Sequence, residues 1–220
     1  MATTKNITMK QFNGTDYDTL YPKTVYSQVS GVAPSGYGLG DAGKQVTDLN
    51  DAQDSGFYSA IGAANIPTGI TSAQYASVLV LCSQPDRVTQ VYFQDVTDGD
   101  GAIAVRRLNG NGWSEWEYLN PPMKVGVEYR TTKRYMEKPV YAKLVNFGAM
   151  PNTAAKTLAH GISDVKYVVS LSGDGNWSNL IGYRYVDYAY ADSTNIYIKS
   201  NADLSTMYAH VVMEYTKSTD

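Results

Sequence analysis

The chain has 220 residues, with 18 Lys and Arg against 21 Asp and Glu, a net charge of −3 and a pI of about 5.4. This mild acidity argues against a basic surface that tracks nucleic-acid phosphates, and no apolar run approaches the roughly 20 residues that span a bilayer. Cys82 is the only cysteine, which excludes an intramolecular disulfide, and the polar N-terminus lacks the apolar segment of a secretory signal peptide. We therefore expect a chain made in the cytoplasm that neither inserts into membranes nor binds nucleic acid.

The aromatic composition is dominated by tyrosine: the chain has 19 Tyr and 19 Gly but only 4 Phe. Tyrosine, threonine and valine favour strands, and glycine-rich segments mark the turns between them. Tyrosine is also an amphipathic contact residue that is common on binding surfaces. The composition predicts an all-β protein with much displayed aromatic surface.

Residues 1–36 are polar and contain the turn-rich stretches NGTDYD, YPKT and GVAPSGYG. No hydrophobic periodicity is sustained in this segment. We interpret it as an extended or partly ordered arm that ends in a Gly, Pro and Ser linker.

Residues 37–120 contain short apolar segments with turn signals between them. Strands at this spacing predict a small β-sandwich or barrel-like module. The run of Ala76–Cys82 is continuously apolar, so we expect it to be central and buried on both faces, whereas 46–56 has room for one helical turn. The predicted strands are GFYSAIG, ASVLVLC, RVTQVYFQDV, GAIAVRRL and GWSEWEYL.

The paired prolines of NPPMK, residues 120–124, mark a boundary because two consecutive prolines do not fit a central strand. Residues 121–135 are interpreted as a connector, and 136–220 as a second β-domain. In its last strand, alternation puts two sets of residues on opposite faces: Met207, Ala209, Val211, Met213 and Tyr215 on one, and Tyr208, His210, Val212, Glu214 and Thr216 on the other. The stretch NTAAKTLAHGI, residues 152–162, fits a short helix or a strand equally well.

Motifs for catalysis or metal binding are not found. DVTDGDG, residues 95–101, lacks the glutamate that an EF-hand needs at its twelfth position and is interpreted as a hairpin turn. His160 and His210 have no Cys, His or Asp neighbours at metal-ligand spacing, so we expect structural histidines. The alternative is a metal shared across a symmetry axis by three copies of His210. Nucleophile-elbow, phosphate-loop and dinucleotide signatures are missing too. We expect no catalytic residues, no metal and no cofactor.

The stretch GDGNWSNLIGYRYVDYAYAD, residues 173–192, combines a Gly, Asp and Asn loop with a strand dense in aromatic and charged residues. Aromatic rings beside charged groups are suited to sugars, because rings stack on C–H faces and charges bind hydroxyls. Alternation puts Tyr183, Tyr185 and Asp187 on one face, with Arg184, Val186, Tyr188 and Tyr190 on the other. The alternative is a tyrosine-rich core or a subunit interface. The candidate glycan-binding residues are Trp177, Tyr183, Arg184, Tyr185, Asp187, Tyr188 and Tyr190.

An ordered set of motifs over about residues 40–119 resembles the pyocin-knob module of phage tail fibres and R-type pyocin fibres. It runs through TDLNDAQDSGFYSAIGAANIPTG, SVLVLC, VTQVYFQ and AIAVRRLNGNGWSEWEYL. The resemblance implies that Trp113 and Trp116 are mostly structural and close the module. In an ideal strand they would face opposite sides, which would leave one of them partly exposed.

Both ends of the chain resemble the same kind of protein. ITMKQFNGTDYDTLYPKT is similar to the N-terminal segment of tail fibres from phages of Gram-positive bacteria. VGVEYRTTKRYMEKPVYAKLVNFGAMPN, AHGI and VMEYTKSTD resemble the C-terminal head of such fibres, which is usually a trimeric β-sandwich. The resemblance implies four parts: a tail-attachment arm and linker (1–36), a knob-like module (37–120), a connector (121–135) and a receptor-binding head (136–220).

The function expected from these patterns is attachment of a virion tail fibre to a host cell-surface polysaccharide without cleavage. The expected partners are two further copies of the chain, other tail or baseplate proteins at the N-terminal arm, and the host glycan. Weak sugar contacts strengthen when several act together, which fits a homotrimer. The alternatives are a purely structural tail-tip or fibre-connector protein and a depolymerase.

Overall fold

The computed structural model describes residues 9–20, 43–70, 75–95, 101–175, 178–179 and 185–220. Within these ranges the regular structure is β-strand, apart from one 3-10 turn at Leu49–Asp51. This turn occupies the place where the sequence predicts a helical turn. The described part of the chain is therefore all-β, as predicted, and no helix in it is long and apolar enough to cross a membrane.

An antiparallel hairpin lies within the predicted N-terminal arm. It consists of β1 (Met9–Phe12) and β2 (Tyr17–Leu20). The Asn13 side chain accepts hydrogen bonds from the backbone N–H groups of Thr15 at 3.0 Å and Asp16 at 2.8 Å. Gly14 follows with a φ of +101° that a side chain would disfavour. The turn at Asn13 and Gly14 therefore allows a hairpin to form in a segment of the arm that shows no hydrophobic periodicity.

The knob-like module is one sheet in the order β3-β4-β5-β6-β7-β9, with β8 also pairing with β7. Neighbours are antiparallel except for β3 and β4. The turn after the β5 strand falls at Pro85 and Asp86, as predicted for a hairpin. The strands are β3 (Lys44–Gln45), β4 (Gly56–Ser59), β5 (Ala76–Gln84), β6 (Arg87–Gln94), β7 (Ile103–Asn109), β8 (Gly112–Trp113) and β9 (Glu117–Asn120).

This sheet buries one face against the segment that follows β3. Leu49 in the 3-10 turn packs into the same core as Val78 and Val80 of β5 and Tyr92 of β6. The opposite face of β5 carries Leu81, which is 53% exposed. The prediction that 76–82 is buried on both faces is wrong, because Leu81 is exposed and the described irregular chain covers one side of the sheet. In the described residues of 37–120 the strands form a single covered sheet and not the expected sandwich or barrel.

The knob sheet continues into the head through β10 (Glu128–Tyr135), which meets β9 in parallel at Thr131 and Tyr118. Tyr129 and Thr131 of β10 are buried, which accounts for a regular strand in the interval predicted as a connector. The division of the chain into four parts remains a prediction from the sequence.

The head contains two facing sheets. The larger one continues the 12-stranded sheet in the order β10-β11-β17-β13-β14, and the smaller one has the order β12-β16-β15. The strands are β11 (Lys138–Ala149), β12 (Ala155–Ala159), β13 (Val165–Gly175), β14 (Ser178–Asn179), β15 (Val186–Ala191), β16 (Asn195–Ser200) and β17 (Tyr208–Lys217). The ambiguous stretch 152–162 thus contains a strand.

The core of the head lies between the two sheets, as a β-sandwich requires. Phe147 of β11 and Val211 of β17 share a buried cluster with Ile196 and Ile198 of β16. Along β17, Ala209, Val211, Met213 and Tyr215 are fully buried, whereas Tyr208 is 60% exposed. The predicted sandwich is confirmed. The alternation of the last strand is confirmed as far as Tyr215, whereas Thr216 is also fully buried.

Candidate functional site

The outward face of the smaller head sheet is defined by what its inward face buries. Ile196 and Ile198 of β16 are fully buried against the larger sheet. Because side chains alternate along a strand, Asn195, Tyr197 and Lys199 are directed away from that core. The neighbouring edge strand, β15, is the one that carries the predicted tyrosines.

A β-bulge in β15 resets the alternation of the predicted sugar-binding strand. Val186 pairs with Ser200, but Tyr188 already pairs with Lys199, so Asp187 is the extra residue. Val186 packs against the head core, while Tyr188 is 40% exposed. The prediction that Val186 shares a face with Tyr188 and Tyr190 is wrong, because simple alternation fails across a bulge.

Three tyrosines form a continuous surface on the outward side of this sheet, and we call Tyr188, Tyr190 and Tyr197 the tyrosine face. Tyr190 lies directly opposite Tyr197 in the ladder, and their rings stack with centroids 4.7 Å apart and planes 13° from parallel. The Tyr188 and Tyr190 ring centroids are 5.5 Å apart at 46°. Tyr190 is 50% exposed, so the stack of two rings leaves aromatic surface open to solvent.

The turn between β15 and β16 holds Tyr197 in place. Asp192 accepts hydrogen bonds from the backbone N–H groups of Thr194 and Asn195, each at 2.8 Å. Its second carboxylate oxygen accepts the Tyr197 hydroxyl at 2.9 Å. These bonds, led by those from the backbone, lower the pKa of Asp192 well below its ordinary value. The bond to this carboxylate in turn raises the pKa of Tyr197. Asp192 is therefore an ionised anchor for the ring beneath Tyr190.

Polar groups flank the aromatic rings at the bulge. Asp187 accepts a hydrogen bond from the Asn201 side chain at 3.0 Å and forms an ion pair with Lys199 at 3.1 Å. Lys199 and Tyr197 lie on the same strand and the same face. Stacking rings beside an amide and a charged pair provide both apolar and hydrogen-bonding contacts for a sugar.

The structure describes four of the seven predicted site residues. Trp177, Tyr183 and Arg184 lie outside the described residues. Tyr185 is half-buried and packs against the head core. The other three, Asp187, Tyr188 and Tyr190, lie together at the exposed side of the smaller sheet, as described above.

Sequence reasoning missed Tyr197 and its anchor Asp192. The alternation of TNIYIKS already separates Tyr197 and Lys199 from the two isoleucines. What the pattern lacks is the pairing of β15 with β16, which brings Tyr197 under Tyr190.

The two knob tryptophans meet on a buried arginine. The Arg106 guanidinium lies 4.2 Å from the Trp113 ring centroid and 4.6 Å from that of Trp116. Residues 114–116 lie outside any strand, so strict alternation does not apply and both rings converge. Trp116 is 9% exposed and its Nε1 donates to the Asn65 carbonyl at 2.8 Å. Trp116 is thus part of the module's core, and Trp113 packs against that core half-buried.

Arg106 ties this cluster to the 3-10 turn. Its Nε donates to the Gln90 Oε1 at 2.9 Å, and the Gln90 Nε2 donates to the Leu49 and Ala52 carbonyls at 2.6 and 2.7 Å. Burial lowers the Arg106 pKa to about 10, against the opposing effect of Asp48. In the described ranges, no group of three or more His, Cys, Asp or Glu side chains could hold a metal ion.

Comparison with protein-family models finds no match, and no curated protein matches the chain. Three matched solved structures are pyocin fibres. An N-truncated R2-type pyocin tail fibre has 11% identity and a TM-score of 0.27, over 78% of this chain and 94% of that chain. The C-terminal part of the R1 pyocin fibre of P. aeruginosa has 10% identity and a TM-score of 0.28, over 78% of this chain and 66% of that chain. The corresponding R2 fibre has 10% identity and a TM-score of 0.27, over 78% of this chain and 65% of that chain. TM-scores this low carry no inference about function, and the all-β description above rests on the strands themselves.

Proposed function

We propose that this chain is a tail-fibre receptor-binding protein of a phage or phage-like particle, which attaches to a host cell-surface glycan without cleaving it. The observation that carries this proposal is the tyrosine face of Tyr188, Tyr190 and Tyr197 on the outward side of the head. The knob-like motifs of residues 40–119 and the fibre-like ends of the sequence support the tail-fibre setting.

The chemistry of the tyrosine face matches a sugar ring. The exposed side of Tyr190 offers an aromatic surface for the C–H face of a sugar, and it is held flat against Tyr197. Asp187 and Lys199 stand at the bulge, where they reach hydroxyl groups of the same or the next sugar. A preset stack of rings limits the ordering cost of binding.

The two carboxylates at this surface are poorly suited to cleave a glycosidic bond. Hydrolysis uses one carboxylic acid that is protonated at working pH and a second carboxylate across the bond. Asp192 has a lowered pKa and stays ionised, and Asp187 is engaged by Lys199 and Asn201. The arrangement favours retention of a glycan over its hydrolysis.

The proposed assembly is a homotrimer with the head facing the host and the N-terminal arm attached to other tail or baseplate proteins. Three copies of a weak site reach useful strength through effective concentration. Light scattering of the full chain at micromolar concentration is expected to give three times the monomer mass of 24.1 kDa. A monomer at that concentration would contradict this assembly.

The test of the proposed function is binding of the labelled full-length protein to a panel of intact candidate host cells. Each cell type is compared before and after mild periodate oxidation, which destroys sugar diols. We expect binding to one or a few cell types that periodate abolishes. Binding that is unchanged after periodate treatment would show that the receptor is not a glycan with oxidisable diols. No binding to cells that the parent particle infects would favour a structural tail-tip or connector protein, and release of reducing ends would establish a depolymerase.

A further inference from the structure

A cleft of about 570 Å³ opens beside the two knob tryptophans, at the junction of the knob sheet with β10. Its walls include Asn50, Arg106, Trp113, Trp116 and Arg130. The volume is within the range of small-molecule sites, roughly 300–1,000 Å³. Most of the cleft's walls come from the knob-like module and the rest from β10 and β11, away from the strands that carry the tyrosine face.

The two arginines in this cleft differ in their partners. Arg130 forms an ion pair with Glu117 at 3.1 Å and another with Glu115 at 3.4 Å. Arg106 is 5% exposed, and in the described part of the chain it is the only buried Lys or Arg. None of the described ion pairs includes it.

Asp48, the acid whose charge acts on Arg106, already has other hydrogen-bond partners. Asp48 accepts hydrogen bonds from the Asn50 backbone at 2.8 Å and the Asn65 side chain at 2.7 Å. Among the described residues, no acceptor lies within hydrogen-bonding reach of the Arg106 Nη2. A buried cation without a carboxylate partner is costly, and an anion that pairs with it recovers that cost.

The surroundings of Arg106 also define the shape and polarity of what could pair with it. Trp113 and Trp116 cover the guanidinium, so an anion must approach its edge, the geometry in which arginine binds carboxylates. Asn50 contributes an Oδ1 to the same cleft that is buried and has no described donor. A ligand that satisfies both wall residues therefore needs an acceptor for the Arg106 Nη2 and a hydroxyl donor for the Asn50 Oδ1.

We propose that this cleft is a second ligand site, which binds a carboxylated sugar residue with its carboxylate on Arg106 and a hydroxyl donating to Asn50. The half-buried Trp113 supplies apolar contact to the sugar ring. This site is separate from the tyrosine face and does not depend on it. It gives the knob-like module a recognition role of its own, toward acidic polysaccharide.

The test is isothermal titration of the full-length protein with glucuronate, glucose and acetate. Glucuronate carries both groups, glucose lacks the carboxylate and acetate lacks the ring. We expect glucuronate to bind at least tenfold tighter than either. If glucose binds as tightly as glucuronate, the carboxylate and hence Arg106 do not contribute to binding. If acetate binds as tightly, the sugar ring does not contribute. Either result, or no binding of glucuronate, would overturn the proposal.

Two variants locate the site. Asn50→Asp adds a carboxylate to the wall that competes for Arg106, so glucuronate affinity is expected to fall at least tenfold in a folded protein. Arg106→Gln should lose the preference for glucuronate over glucose. If Arg106→Gln does not fold, Asn50→Asp alone decides the test. The control is Tyr75→Ala, because Tyr75 is 63% exposed and belongs neither to the cleft nor to the tyrosine face. It should leave glucuronate binding unchanged. Unchanged affinity in Asn50→Asp, or a loss in Tyr75→Ala, would overturn the assignment, whatever the cell-binding test shows.

Discussion

The knob and the head each concentrate aromatic residues, but they use them in opposite ways. In the knob, Trp113 and Trp116 converge on the buried Arg106, and Trp116 is 9% exposed. In the head, Tyr190 stacks on Tyr197 and remains 50% exposed. The difference follows from the neighbours of each ring: irregular chain folds over the tryptophans, whereas the outward side of the small sheet is left open. Aromatic density alone therefore does not distinguish a core from a binding surface.

The largest expected effect is on stability, from Trp116→Ala. This change removes a buried ring that contacts Arg106, lies edge-on to Tyr92 with centroids 5.9 Å apart, and donates a hydrogen bond to Asn65. We expect the free energy of unfolding to fall by about 3–5 kcal/mol, as for other buried tryptophans. Chemical denaturation measures the loss.

The matched control for this prediction is Leu119→Ala on the neighbouring strand. Leu119 is 57% exposed, and surface substitutions usually change stability by about 0.5 kcal/mol or less. A loss below about 1 kcal/mol in Trp116→Ala would show that the tryptophan cluster is not part of the core.

The second expected effect is on binding, from Tyr190→Ala. Removal of the exposed ring should weaken attachment to host cells roughly tenfold, while stability changes by less than about 1 kcal/mol. The control is Tyr75→Ala, because Tyr75 is 63% exposed but belongs to the knob. If both variants bind cells as well as the parent chain, the contrast between a structural and a binding cluster fails.

A smaller effect is expected from Tyr197→Phe, which keeps the ring and removes the hydroxyl that donates to Asp192. Without this bond the stacked pair is less ordered before binding, so affinity should fall roughly threefold, equivalent to about 0.7 kcal/mol. The same cell-binding titration measures it. A loss as large as that of Tyr190→Ala would mean that the hydroxyl contacts the glycan directly.

The smallest effect concerns pH and His160, which is 3% exposed beneath the turn of Asp192. Its Nδ1 accepts the Ile162 N–H at 3.1 Å, and its Nε2 lies 3.4 Å from the Asp192 carbonyl. Burial lowers the His160 pKa below its ordinary 6.5, with a further lowering from Lys143 that is opposed by Asp192. The unfolded chain therefore binds this proton more readily, so stability is complete above pH 6.5 and declines as pH falls toward the folded-state pKa.

The measurement for His160 is the melting temperature between pH 8 and pH 5 in the parent chain and in His160→Gln. The parent should lose stability relative to its own value at pH 8 by more than the variant does. Parallel curves for the two proteins would show that His160 does not contribute to the pH dependence.

The sequence predicts best where one strand buries one regular face. The alternation of β17 identifies four of its five fully buried residues and misses Thr216, and the composition identifies the all-β class. The same rule fails in β15, because the β-bulge at Asp187 shifts the register and the pattern of side chains in the sequence does not predict it. It also fails for 76–82, since an apolar run does not reveal whether a second layer covers the sheet.

The candidate site was predictable only in part for a related reason. Tyr188 and Tyr190 stand in one strand and follow from composition, but Tyr197 joins them through the pairing of two strands. The convergence of Trp113 and Trp116 on Arg106 depends on a segment without regular structure. Trp116 is also held by a hydrogen bond to Asn65, which is 51 residues away in the sequence. Long-range pairing is the information that a single sequence lacks.

The most direct test of the tyrosine face is oxidative footprinting of the full chain with and without polysaccharide extracted from cells that it binds. Mass spectrometry reports the labelling of each tyrosine. We predict that Tyr188 and Tyr190 are protected when polysaccharide is present, while Tyr75 and Tyr208 are labelled as before. Protection of Tyr75 or Tyr208 without protection of Tyr188 and Tyr190 would contradict the assignment of glycan binding to the head sheet.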